Sequence, residues 1–136
     1  MYQCYLSIGI RHYRLHASEL KKIFKTEPDN VISLGDVQKN IKGNIIRASM
    51  PYSNLNYIVY KWENMEIETA LEGGLSYIKK NLVDNELLKK VVATDGELWC
   101  NVCAYSEKTF AMEINPEIVK EFSNLGIKIF IKHYTN

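Results

Sequence analysis

Tyr2, Cys4, Leu6, Ile8 and Ile10 alternate with Gln3, Tyr5, Ser7 and Gly9. That period of two predicts a strand with one buried face. Arg11-His12-Tyr13-Arg14 ends the alternation and reads as a polar connection. Leu20, Ile23 and Phe24 then recur at helical spacing, with Leu15 placed to staple the start and His16 or Ser18 to cap it. This short helix must stop near Thr26, because Pro28 disfavours helical geometry in Glu27. Val31 to Leu34 predicts a short strand ended by Gly35-Asp36, and Gln38 to Asn44 reads as a loop. Pro51, Ser53 and Asn54 favour a turn before the next strand. That strand is Tyr57 to Trp62, with Ile58, Tyr60 and Trp62 on one face.

Ile67, Ala70, Leu71, Leu75, Ile78 and Leu82 form one helical stripe, and Leu87, Leu88, Val91 and Val92 form another. Asp84-Asn85 between them breaks or re-caps the helix. Gly73-Gly74 weakens the first helix by about 1 kcal/mol per glycine relative to alanine, but lets it lie close on a sheet. Leu98 to Tyr105 and Thr109 to Ile114 predict a hairpin around Ser106-Glu107-Lys108, with Tyr105 facing Phe110. Asn115-Pro116-Glu117 then opens a helix: Asn115 is a good N-cap, Pro116 suits the first position and Glu117 complements the positive helix end. Gly126 suits the left-handed residue that closes it, and Ile127 to Tyr134 follows as a strand.

The expected order is β-α-β-β-α-β-β-α-β, a single α+β domain over residues 1–136. A mostly antiparallel, mixed sheet with helices packed on one face would bury both apolar stripes. A chain of 136 residues needs no disulfide staple, and three cysteines, an odd number, fit a reducing compartment. No apolar run approaches the ~18 residues of a membrane span, and the first residues lack the basic start and apolar stretch of a signal peptide. The expectation is a cytoplasmic protein with no membrane partner. A net charge of +1 argues against general affinity for nucleic acid. The charge is unevenly spread, with eight Lys and Arg against four acids in residues 1–47, and eight against twelve in residues 62–136.

These elements, with Gly35-Asp36, Trp62, the Asn115-Pro116-Glu117 helix and its Leu125-Gly126 end, resemble the bacterial family known as domain of unknown function 4279. The resemblance would cover nearly the whole chain, the basic loop from Gln38 to Ser49 being less typical. It implies a small cytoplasmic α+β domain of bacteria, of a kind that often resembles toxin-neutralising immunity proteins. It implies no catalytic residues, and Gly35, Asp36 and Trp62 read first as turn and core positions.

Candidate chemistry is sparse. Trp99-Cys100-Asn101-Val102-Cys103 imitates a thioredoxin-like Trp-Cys-x-x-Cys, but that chemistry needs the first cysteine at a helix N-terminus. Here the pair lies in an alternating strand, where a spacing of three puts the thiols on opposite faces. Cys100 then behaves as a small buried hydrophobe. Zinc would need two more ligands, and His12 and His16 lie in a segment read as a loop. No phosphate-cradling glycine loop, nucleophile elbow or aromatic-basic RNA signature occurs. His133 is expected at the core edge, and Glu66, Glu68 and Glu72 complement a helix start. No catalytic, metal or cofactor-binding residue is assigned, and no cofactor is expected.

Arg11, His12, Tyr13 and Arg14 are the candidate partner-binding residues, because Arg and Tyr bury area and carry directed donors. The plainer alternative is a solvated connection. With nine tyrosines and no catalytic constellation, the chain reads as a non-catalytic binding protein, most specifically a toxin-neutralising immunity protein. The alternative is a small-ligand-sensing or regulatory domain acting as a homodimer.

Overall fold

The first predicted strand extends to His12 and becomes the centre of the fold. In the computed structural model, which describes residues 1–108 and 112–135, β1 (Tyr2–His12) is hydrogen-bonded along both edges. One antiparallel neighbour is β5 (Ser53–Met65) and the other is β6 (Glu97–Ser106). The short β2 (Asn30–Ile32) lies outside β5, and β7 (Ile127–Thr135) lies parallel to β6, so the five-stranded sheet has the order β2-β5-β1-β6-β7. The α+β class, the mostly antiparallel mixed sheet and its helical cover are as predicted.

Helices α1 (Ala17–Leu20), α2 (Ile67–Asn81), α3 (Asn85–Ala93) and α4 (Pro116–Asn124) supply that cover. Their apolar residues meet Cys4, Leu6, Ile8 and Ile10 of β1, Leu55 and Tyr57 of β5, and Leu98, Cys100, Val102 and Ala104 of β6. Burying each leucine or isoleucine contributes about 1.5–3 kcal/mol, so this face dominates stability. The predicted stripe of α2 is buried at Ile67, Ala70, Leu71, Leu75 and Ile78. Asp84 re-caps the chain by accepting from the Leu87 N–H at 2.9 Å, which separates α3 from α2. Asn115 caps α4 through the Glu117 N–H at 2.9 Å, and Gly126 closes it at φ +72°.

Gly74 performs the predicted close approach. A Cβ there would stand 3.1 Å from Cys100 Sγ and 3.2 Å from a Leu6 methyl, so α2 presses its backbone against β1 and β6.

Several local readings are corrected. Arg11 and His12 are the last residues of β1, not part of a connection. The loop read from Gln38 contains β3 (Gln38–Lys39), which pairs with β4 (Ile45–Arg47) as a separate ribbon. Ser53 and Asn54 begin β5 rather than forming a turn, and the buried Ser53 hydroxyl donates to Leu15 O and accepts from Leu34 N. The face shared by Ile58, Tyr60 and Trp62 does not exist. β5 carries an extra residue twice against β1, between Glu63 and Tyr60 and between Tyr60 and Ile58. These bulges re-aim successive side chains. Tyr60 lies beneath Gly73 of α2, while Trp62, at φ +55°, turns to the opposite face beside Tyr5. The second strand of the predicted hairpin is not seen: residues 112–114 are irregular, and Thr109, Phe110 and Ala111 lie outside the described residues. The real partners of β6 are β1 and β7, brought alongside by a strand-helix-strand return through α4.

Replacing Gly74 by valine would force α2 off the sheet. A loss of roughly 1–3 kcal/mol in urea denaturation is expected, against less than about 0.5 kcal/mol for valine at the exposed Ser76. Equal effects at the two positions would contradict the close approach.

Candidate functional site

Among the described residues no helix packs on the second face of the sheet. Across its centre the paired positions form a grid, with Asn54, Arg11 and Glu97 in one row, Asn56, Gly9 and Trp99 in the next, and Ile58, Ser7 and Asn101 in the third. Directly opposed residues of antiparallel strands share a face, so these side chains stand together. Gly9 leaves a hollow of about 260 Å³ lined by Arg11, Asn54, Asn56, Trp99 and Asn101. The Arg11 guanidinium carbon lies 4.0 Å from the centre of the Tyr52 ring and 5.3 Å from that of Trp99, and Arg11 Nε reaches Asn54 Oδ1 at 3.4 Å. Tyr13 meets Tyr52 edge-on at 6.1 Å. Cation-π stacking of this kind contributes about 0.5–1 kcal/mol at exposed sites and fixes the guanidinium plane.

Further along the same face, Gln3, Trp62, Cys103, Tyr105 and Tyr134 line a larger and mostly apolar concavity of about 610 Å³. Tyr5 packs on Trp62 at 5.5 Å between ring centres. Trp62 is 48% exposed and Phe130, on β7, 55% exposed. Trp62 is therefore not the core residue that its sequence position suggested, whereas Gly35, at φ +87°, and Asp36, whose carboxylate accepts from Ser33 N, are turn residues as read.

The four candidate binding residues divide. Arg11 belongs to the open face and Tyr13 buttresses it through Tyr52. Arg14 is tied to Thr94 O through Nη2 at 3.0 Å. His12 is 2% exposed, on the covered side, and holds the turn together. Its Nδ1 accepts from the N–H groups of Arg14 and Leu15, both at 3.0 Å, so the ring proton resides on Nε2 and donates to Thr94 Oγ1 at 2.8 Å. Thr94 Oγ1 donates in turn to Lys90 O at 2.7 Å. Burial, and then the nearby Arg14 charge, hold the His12 imidazole below its ordinary pKa. A protonated ring could not accept those two amide bonds.

The thiols stand as predicted, on opposite faces. Cys100 is buried under α2, its pKa pushed up to about 12 by burial, and Cys103 lines the open-face concavity. Burial first, and then the Glu66 charge, push the Cys4 thiol up to about 11. His133 sits at the core edge, 5.3 Å edge-on to Tyr2 and 2.9 Å from Ser106 Oγ. Glu68 accepts from Asn115 N, joining the start of α2 to the cap of α4. Among the described residues no three His, Cys, Asp or Glu side chains are placed to hold a metal ion. No helix among the described residues is long and apolar enough to cross a membrane. The chain matches no family model, no curated protein and no solved structure.

Tyr5, Trp62, Trp99, Asn56, Asn101, Phe130 and Tyr134 were not singled out from the sequence as a surface. Their signal was there: aromatic residues occupy the outward positions of alternating strands, where solvated polar residues are usual.

Because His12 binds its proton more weakly folded than unfolded, its stabilisation is complete above the ordinary imidazole value of 6.5 and is lost progressively as pH falls below it. Melting between pH 7 and pH 5 should therefore fall more steeply for the native chain than for His12→Asn, whose amide oxygen keeps an acceptor without titrating. Parallel profiles would contradict this role.

Proposed function

We propose that this protein is a non-catalytic protein-binding domain that receives its partner on the uncovered sheet face, and most specifically a bacterial cytoplasmic immunity protein that neutralises a toxin by occlusion. The observation that carries the reading is the exposed Trp62, Phe130 and Tyr134, with the half-buried Tyr5 and Trp99 beside them, on a face that no helix of the described residues covers, where Arg11 stacks on Tyr52 and Trp99. Trp, Tyr and Arg dominate binding hot spots because each buries much area and carries a directed donor. A rigid sheet also offers these groups preorganised, so little ordering entropy is lost on docking. The resemblance to domain of unknown function 4279 points toward the same class, and shape and charge complementarity would set the choice of toxin.

A small-ligand-sensing homodimer is the second reading. It is favoured by the size of the concavity beside Trp62, which lies within the ~300–1,000 Å³ of small-molecule sites. The edge of β7 offers a strand to a second copy. A ligand-dependent rise in melting temperature would distinguish this reading, since a ligand of the folded state alone raises apparent stability.

Co-expression with the toxins encoded beside the gene tests the first reading. The native chain should restore growth against one of them. Trp62→Ala and Phe130→Ala should each weaken toxin binding by about tenfold or more with melting temperature unchanged. Failure to protect against any of these toxins, or full protection by both variants, would overturn it.

A further inference from the structure

The hollow at Gly9 has a chemistry distinct from the apolar concavity beside Trp62. We propose that it is a carboxylate-binding site in which Arg11 is the anchor and the Asn56 and Asn101 amides are flanking donors, its ligand being an acidic side chain of the protein partner. This inference rests on the reading of the open sheet face as a docking face and names the chemistry recognised there.

Arg11 makes no ion pair among the described residues. The acid in its own row, Glu97, is engaged by Lys128 at 3.6 Å. An unpaired cation on a central strand is usually explained by a mobile, solvated side chain, but this one is clamped between the Tyr52 and Trp99 rings. Asn54 occupies Nε. The Nη groups make no hydrogen bond among the described residues. They present paired N–H donors in a fixed plane, the arrangement that matches the two oxygens of one carboxylate. The side-chain amides of Asn56 and Asn101 are likewise without hydrogen bonds among the described residues, and both line the same hollow.

Space and charge narrow the ligand. The hollow exists because residue 9 has no side chain: a Cβ would stand 3.2 Å from the Trp99 ring and 3.5 Å from Asn101 Nδ2. A volume of about 260 Å³ takes a carboxylate and its first methylenes, and falls short of the ~300 Å³ at which drug-sized sites begin. One guanidinium balances one negative charge. A phosphate dianion would find no second cation in the hollow, no helix N-terminus and no nest of backbone amides, because the floor is regular strand. Lys132 on the neighbouring β7 is placed to steer an acidic surface toward the face without entering the hollow.

The test is a titration of the ¹⁵N-labelled chain followed at the Arg11 Nε–H and the Asn56 and Asn101 amide signals. The probes are an acetylated, amidated Gly-Glu-Gly peptide, its Gly-Gln-Gly counterpart, acetate and inorganic phosphate. The glutamate peptide should shift these signals saturably, in the millimolar range usual for a single anchor, and at least fivefold more tightly than the glutamine peptide. Arg11→Gln should abolish the shifts. Gly9→Ala, which fills the floor while leaving the strand intact, should weaken them several-fold and keeps the test decisive if the first variant misfolds. No saturable shift, equal response to the glutamine peptide, or tighter binding of phosphate would overturn the site. Acetate binding more tightly than the glutamate peptide would assign the hollow to a free small acid and overturn the partner side chain as ligand. Toxin protection that depends on Trp62 alongside a silent titration would leave the docking face standing and remove only this site. Saturable glutamate binding without protection from any toxin would retain the site and remove the toxin.

Discussion

β1 is hydrogen-bonded on both sides, so every residue in it must point either into the helical layer or away from it. Leu6, Ile8 and Ile10 point inward and are fully buried, and Ser7, Gly9 and Arg11 alternate with them on the other side. A shift of one residue would exchange the two sets. This alternation is the constraint on which the rest depends. It fixes which face α2 can approach, and α2 approaches closely only because Gly74 meets Leu6 and Cys100 without a side chain of its own.

The same constraint assembles the open face. Residues distant in sequence, such as Asn54, Arg11 and Trp99, become neighbours because their strands flank β1 in register. No energetic demand of folding requires aromatic side chains there, since the hydrophobic core is complete on the helical side. Tyr5, Trp62, Phe130 and Tyr134 leave apolar area in water, which globular proteins rarely do in contiguous patches without a partner for it. The two bulges of β5 sharpen the contrast, because they place Tyr60 beneath α2 and Trp62 against Tyr5 from positions two apart, which a regular strand would put on one face.

What was legible in the sequence was local. The Asn115 and Asp84 caps, the left-handed Gly126 and the alternation of β1 and β6 each act within a few residues of themselves, and each stands as read. The opposition of Cys100 and Cys103 followed from the same period of two. Long-range pairing was not legible. A hairpin after Tyr105 was the economical expectation, yet β6 lies between β1 and β7, and only the return through α4 brings β7 alongside. His12 was placed in a connection, whereas the alternation of β1 continues through it onto the covered side, where its partner Thr94 lies 82 residues away in the chain. Arg11 was read as part of a polar connection, and it lies within β1. Its rigidity comes from Tyr52 and Trp99, which only the sheet brings to it.

One covered face and one open face is the central claim, and the three cysteines report on it. Alkylation by iodoacetamide under native conditions, timed by mass spectrometry, would measure it directly. Cys103 on the open face should react first and alone, leaving the melting temperature unchanged, while Cys4 and Cys100 stay protected until the chain unfolds. Reaction of Cys4 or Cys100 as fast as Cys103, or protection of all three in the isolated protein, would contradict the arrangement of the two faces.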